Sequence, residues 1–182
     1  MSKNLNEAGK NNDKVCTPES IWQPWARVLG ETYQAFFTLD PCGCEGQDEI
    51  ALDTVYWPED GLKVDWSNHF VWLNPPYSQL RSPSAYPWLV YAEEAELTVA
   101  FLPARTAAPW FRDAIAACTS AWFLDHRVTH KGSPSTAPFA QCFLQFGQRD
   151  PLPVPQELSG WGYVDDTFCM RKRGRSSHPD NG

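Results

Sequence analysis

Three apolar runs of strand length in this chain each meet a proline. AFFTLD (35–40) runs into Pro41, HFVWL (69–73) into the Asn-Pro-Pro at 74–76, and LTVAFLPAR (97–105) is stopped at Pro103. Runs that are apolar at consecutive positions are buried on both faces, the habit of parallel sheets covered by helices. Proline has no N–H for a continuing ladder, so each run has a defined end. Helical patterns fill the intervals. Thr17-Pro18-Glu19 opens a helix with Thr17 as cap and Pro18 at the first helical position, while Ile21, Trp22, Trp25, Val28 and Leu29 form one apolar face. Pro24 is a candidate kink and Gly30 a stop. Further helices are predicted around Trp88 to Glu96 and Pro109 to Cys118, and strands near Ser120 to Leu124, Phe139 to Phe146 and Trp161 to Met170. Such alternation predicts an α/β fold: a mostly parallel central sheet flanked by helices, in a single domain.

The boundaries follow from composition. Residues 1–14 are polar and Asn-rich and read as a disordered lead-in, 15–170 as the domain, and 171–182 as a basic, flexible tail carrying Arg171, Lys172, Arg173 and Arg175. A hydrophobic content of 42% with nine Trp is that of a globular chain. A net charge of −7 excludes a protein that coats nucleic acid by charge alone, and leaves room for a local basic face. Six cysteines without regular spacing, and no leading apolar segment, predict reduced thiols in a cytosol. Cys42-x-Cys44 with His126-x₃-His130 invites a zinc reading, but the pairs are far apart and Cys-x-Cys is tighter than structural zinc sites use, so no metal is expected.

The segment VWLNPPYSQL (71–80) carries the chemistry. Pro75 and Pro76 hold φ near −65° and push the residue before each out of the helical region, which keeps Asn74 extended. With two donors deleted, the carbonyls of Asn74 and Pro75 stay available beside the Asn74 carboxamide oxygen. Tyr77 adds an aromatic ring to this rim of acceptors. A planar amine fits such a rim. In a parallel sheet ligands bind at the carboxyl ends of strands, where both LDPCG and LNPPY fall.

NPPY (74–77), preceded by DGLKVDW (60–66) and TLDPCG (38–43), with TPES (17–20) upstream and LPARTAAPWF (102–111) downstream, resembles the phage-type DNA N6-adenine methyltransferases. The match runs from about Cys16 to Gly147 with the blocks in order. The resemblance implies a Rossmann-like methyltransferase fold, S-adenosylmethionine as methyl donor, double-stranded DNA as partner and a bacterial cytoplasm, in a phage or prophage setting, as location. It also implies that Asn74, Pro75, Pro76 and Tyr77 form the catalytic rim. Asn74 Oδ1 and the Pro75 carbonyl would accept from both N6 hydrogens of an extruded adenine, and Tyr77 would stack on the base.

Cofactor contacts are expected at Thr17, Pro18, Asp40, Pro41, Cys42, Asp53, Asp60, Gly61, Leu62 and Asn74. The Thr17-Pro18 helix start offers free N–H groups to a carboxylate. Asp60 is expected to accept from the cofactor's adenine amine, with Gly61 allowing a sharp turn and Leu62 packing beside the ring. Trp66 is expected in the core. LDPCGCEG (39–46) is a poor copy of a glycine-rich loop, and the thirty-four positions from Asp40 to Asn74 hardly hold a complete second βα unit. Asp40 could therefore sit by the methionine end or hold the ribose, with Asp53 a rival for the ribose. Tyr77, Arg105, Arg127 and Lys131 are the candidate DNA contacts, with THKGSPSTAP (129–138) as a loop suited to a groove. Two alternatives stay open: the same chemistry on cytosine N4 or on a protein glutamine, the latter disfavoured by the eroded glycine loop; and a catalytically silent nucleic-acid-binding or decoy protein.

Overall fold

The computed structural model describes residues 16–46, 49–56, 60–164 and 167–171. The expected lead-in 1–14 and the basic tail beyond Arg171 lie outside them. Helix α1 (Glu19–Tyr33) precedes strands β1 (Leu39–Gly43) and β2 (Asp53–Tyr56), a 3₁₀ turn (Gly61–Lys63) and β3 (Phe70–Leu73). There follow α2 (Tyr86–Glu94), β4 (Leu97–Pro103), α3 (Pro109–Ala117), β5 (Ser120–Leu124), β6 (Gln141–Phe146), β7 (Gly160–Val164) and β8 (Thr167–Arg171). The strands form one sheet in the order β2-β1-β3-β4-β6-β5-β7-β8.

This is an α/β domain, but its sheet is not mostly parallel as expected. The pairs β1/β2, β1/β3 and β3/β4 are parallel. The pairs β4/β6, β5/β6, β5/β7 and β7/β8 are antiparallel. The pairings make β1 to β5 run in one direction and β6 and β7 against them. The cause lies between Leu124 and Gln141, where the prolines and glycine of THKGSPSTAP leave no helix to carry a crossover to another parallel strand. The chain returns instead as β6, between β4 and β5. The run expected as one strand over Trp161–Met170 is a hairpin, β7 and β8.

Period-two alternation along the strands serves two helical layers. Trp72, Val99, Phe101, Trp122 and Phe143 face α1, whose Ile21, Trp22, Trp25, Val28 and Leu29 are buried against them. Val71, Leu73, Ala100, Leu102, Ala121 and Leu144 face the other way, onto Trp88 and Leu89 of α2, Trp110 and Phe111 of α3, and Trp66. Among the described residues no helix is long and apolar enough to cross a membrane.

Local expectations are corrected in three places. Pro18 is the N-cap of α1 and makes no side-chain cap bond, so Thr17 is not the cap; its hydroxyl is engaged elsewhere. The helix runs through Pro24 and past Gly30 to Tyr33, where Gln34, at φ 54°, ends it by returning its N–H to the Gly30 carbonyl. Asp-Pro does not end β1, which continues through Pro41 to Gly43 with a register shift between Asp40 and Gly43. A bulge of this kind accommodates a missing donor. Between Asp40 and Asn74 the described chain builds β2 and a 3₁₀ turn but no α-helix, which agrees with the expectation that a complete second βα unit hardly fits there.

Trp25 is fully buried and its ring lies 5.1 Å from that of Phe143, so it locks α1 to the returning strand β6. Trp25→Ala is expected to destabilise the domain by roughly 3–5 kcal/mol. Urea unfolding followed by tryptophan fluorescence checks it; a midpoint within error of the parent contradicts this packing.

Candidate functional site

Strand β1 lies between β2 and β3, so the chain leaves it toward one side of the sheet and later returns on the other. Such a switch opens a crevice at the carboxyl ends of the two strands. Leu39 pairs with Val71. Cys42 and Asn74 each lie three residues beyond that pair, at the crevice mouth.

At the β3 side, Pro75 and Pro76 are buried and Asn74 is half-buried. The local turn takes the carbonyls of Pro76 and Tyr77, which accept from Gln79 and Leu80, and leaves those of Asn74 and Pro75 outside it. The Asn74 amide is held at one end only. Its Nδ2 donates to Thr17 Oγ1 at 2.9 Å, whereas its Oδ1 is buried and has no hydrogen-bond partner among the described residues. An unsatisfied buried acceptor costs about 1–3 kcal/mol and calls for a donor.

Tyr77 closes the rim. Its hydroxyl accepts from Gln141 Nε2 at 3.3 Å, and burial pushes the phenol well above its ordinary range. Gln141, fully buried at the start of β6, also accepts from the Val128 N–H at 3.2 Å and lies 2.9 Å from His130 Nε2. With Oε1 used as the acceptor, Nε2 must donate to His130, which places the imidazole proton on Nδ1. Burial holds this imidazole below its ordinary value, opposed in part by the Cys16 backbone. His130 and Phe139 contact the Tyr77 ring in T-shaped arrangements, and the Arg105 guanidinium lies 5.5 Å over Phe139.

At the β1 side, Asp40 is buried and its Oδ1 accepts from the Cys42 N–H at 3.0 Å. Desolvation pushes its carboxyl up to about 7. The Cys42 thiol is raised too, by burial and by the charges of Asp40 and Asp60 beside it. Exposed Asp60 caps the 3₁₀ turn, accepting from the Leu62 N–H at 3.1 Å. Gly61 is glycine for close approach, not for a sharp turn: a Cβ there would run into the backbone of Pro41. The indole of Trp66, buried as expected, donates to the Gly61 carbonyl at 3.0 Å and fixes the turn against β1. Leu62 is half-buried against the same core.

The structure thus brings together Thr17, Pro18, Asp40, Pro41, Cys42, Asp60, Gly61, Leu62 and the Asn74–Tyr77 rim. It does not bring Asp53. That residue is exposed at the amino end of β2, opposite Leu39, and its strand runs away from it toward the crevice. Arg105, Arg127 and Lys131 are all exposed in loops around the rim. Lys131 is 4.0 Å from Glu19, and its backbone forms a β-bridge with Cys16. The 129–138 loop is therefore pinned to the protein and does not project freely.

The cysteines depart from expectation. Cys16 and Cys44 form a disulfide with Cα atoms 5.4 Å apart, because the bridge to Lys131 holds Cys16 beside the loop that leaves β1. Cys42, Cys118, Cys142 and Cys169 are free thiols. Among the described residues no three His, Cys, Asp or Glu side chains converge on a metal position.

Gln141, Phe139 and the contact of Thr17 with Asn74 were not foreseen. Gln141 alone left a trace, as an amide heading an apolar strand. Comparisons with protein-family models, with curated proteins and with solved structures find no match to this chain.

Asp40 makes a pH-dependent contribution. Its native carboxyl, raised from 3.8 to about 7, keeps a proton that the unfolded chain releases, so stability falls as pH rises from about 4 to about 7. Asp40→Asn should abolish that slope and unfold at higher urea than the parent at pH 8. Equal slopes in the two proteins contradict the burial of this acid.

Proposed function

We propose that this chain is an S-adenosylmethionine-dependent DNA adenine N6-methyltransferase on a Rossmann-like sheet, acting on double-stranded DNA in a bacterial cytoplasm. The observation that carries the reading is the buried, unpartnered Oδ1 of Asn74, at the end of β3 beside the switch in strand order. An acceptor left open there, next to a proline-freed carbonyl, suits a ligand with two hydrogens on one nitrogen. The order of the NPPY, Asp-Gly-Leu and Leu-Pro-Ala-Arg blocks supports the choice of a nucleobase amine.

The residues present fit the methyl donor. Asp40, buried near the start of β1, suits an ammonium group, and the N-terminus of the fifteen-residue α1, reached through Thr17-Pro18, suits a carboxylate. Asp60, fixed by Gly61 on Pro41, presents an exposed carboxylate that can accept from an adenine amine. S-adenosylmethionine supplies an electrophilic methyl group when bound.

The chain's own part is to grip, orient and exclude water. The adenine N6 lone pair is delocalised into its ring, so the amine is a poor nucleophile. Acceptors at Asn74 Oδ1 and the Pro75 carbonyl favour a pyramidal nitrogen and aim its lone pair outward. Positioning and complementarity to positive charge arriving on nitrogen are then the main catalytic contributions. Extrusion of the base costs a few kcal/mol, and stacking on Tyr77 returns roughly 1–3 kcal/mol. Arg105, Arg127 and Lys131 offer charge to the flanking phosphates.

Incubation of duplex DNA with methyl-labelled S-adenosylmethionine tests the reading. The expected product is N6-methyladenine, with Asn74→Ala lowering kcat by roughly 10²–10³-fold. Label on cytosine N4 or on protein glutamine moves the acceptor, and no transfer refutes the proposal. Arg105→Ala should raise the KM for DNA and reduce the slope of log affinity against log salt by about 1, as measured by fluorescence anisotropy.

A further inference from the structure

The Asn74 amide poses a problem of orientation. A carboxamide presents an acceptor at one end and two donors at the other, in nearly the same shape. Turned one way it meets an amine as an acceptor. Turned the other way it meets the amine's hydrogens with hydrogens of its own, and the grip is lost. The prolines that follow Asn74 hold its backbone but say nothing about which end of the side chain points into the crevice.

In the structure Thr17 takes the donor end. Its hydroxyl, on a residue 2% exposed and fifty-seven positions away in sequence, accepts from Nδ2 at 2.9 Å, and Oδ1 is the end left open. Little water reaches the bond to compete with it. Thr17 is itself held firmly. Its neighbour Cys16 is tied on one side by the disulfide to Cys44, just beyond β1, and on the other by two backbone hydrogen bonds with Lys131. Pro18, on the other flank, is the N-cap of α1. The hydroxyl is therefore a fixed post. It also explains why α1 lacks a side-chain cap although a threonine stands next to its start.

We infer that Thr17 is a positioning residue, which sets the Asn74 carboxamide with its oxygen toward the acceptor amine. The role rests on the methyltransferase reading and adds to it a residue that works through Asn74 and not by capping a helix. Valine has the shape of threonine without the hydroxyl, so Thr17→Val removes the acceptor and keeps the side chain's volume. It is expected to lower kcat about tenfold or more. Thr17→Ser, which keeps the hydroxyl, should recover most of the rate.

The test pairs kinetics with the amide itself. In the ¹⁵N-labelled full chain, the Asn74 side-chain resonances are identified by their loss in Asn74→Asp. One Nδ2 proton should exchange slowly with solvent in the parent and in Thr17→Ser, and fast in Thr17→Val; Thr17→Ala replaces valine if that variant does not fold. An active parent matched in kcat by Thr17→Val overturns the positioning role. A parent that transfers no methyl to DNA overturns the methyltransferase reading instead, and positioning is then decided by exchange alone: equal rates in parent and Thr17→Val overturn it.

Discussion

Side-by-side packing of β1 and β3, with the chain leaving them toward opposite sides of the sheet, is the constraint on which the rest depends. Two parallel strands buried on both faces cannot be joined by a tight turn. The chain between them must travel, and on the way it builds β2 and the Asp60–Lys63 turn. The crevice that this divergence opens has an acid on one wall and an amide on the other. Asp40 and Asn74 belong to neighbouring strands of the sheet.

Each wall is stiffened by a buried polar side chain. On the β1 side Trp66 bonds the Gly61 carbonyl, pressing the Asp60 turn onto Pro41 so closely that no Cβ is admitted. On the β3 side Gln141 ties Tyr77, His130 and the Val128 backbone into one network. The bridge from His130's neighbour Lys131 to Cys16 then closes a circuit back to Thr17 and Asn74. Both ends of the Asn-Pro-Pro-Tyr rim are thus held from outside by residues remote in sequence. Polar groups buried and hydrogen-bonded in this way rigidify a site; Asn74 Oδ1 and His130 Nδ1 are the atoms of this circuit left without a partner among the described residues.

The antiparallel insertion of β6 is what makes this circuit possible. A helical crossover after β5 would have carried the chain off to cover a face. The proline- and glycine-marked loop over 129–138 instead lies along the rim, and β6 returns between β4 and β5 with Gln141 at its head, under Tyr77. Cys142 and Phe143 follow into opposite faces of the sheet. The departure from a mostly parallel sheet and the stiffening of the rim have the same origin.

Local chemistry was sufficient for much of this. Consecutive apolar residues in FVWL and LTVAFL require burial on two sides, the stripe of Ile21, Trp25, Val28 and Leu29 requires a helix against a sheet, and Pro75-Pro76 requires a rigid rim after a strand, because each depends only on near neighbours in the chain. Strand order and direction depend on where a strand returns, so neither β6 nor the hairpin of β7 and β8 could be placed from periodicity. The roles of Thr17 and Gln141 were hidden for the same reason. A threonine before Pro-Glu has the signature of a cap, and an amide heading an apolar strand leaves only a trace, until the fold sets one against Asn74 and the other against Tyr77. The residue types were decided by the sequence; which hydrogen-bonding atoms are used and which one is left open were decided only by the tertiary structure, since a hydrogen bond is a fact of distance and direction in space.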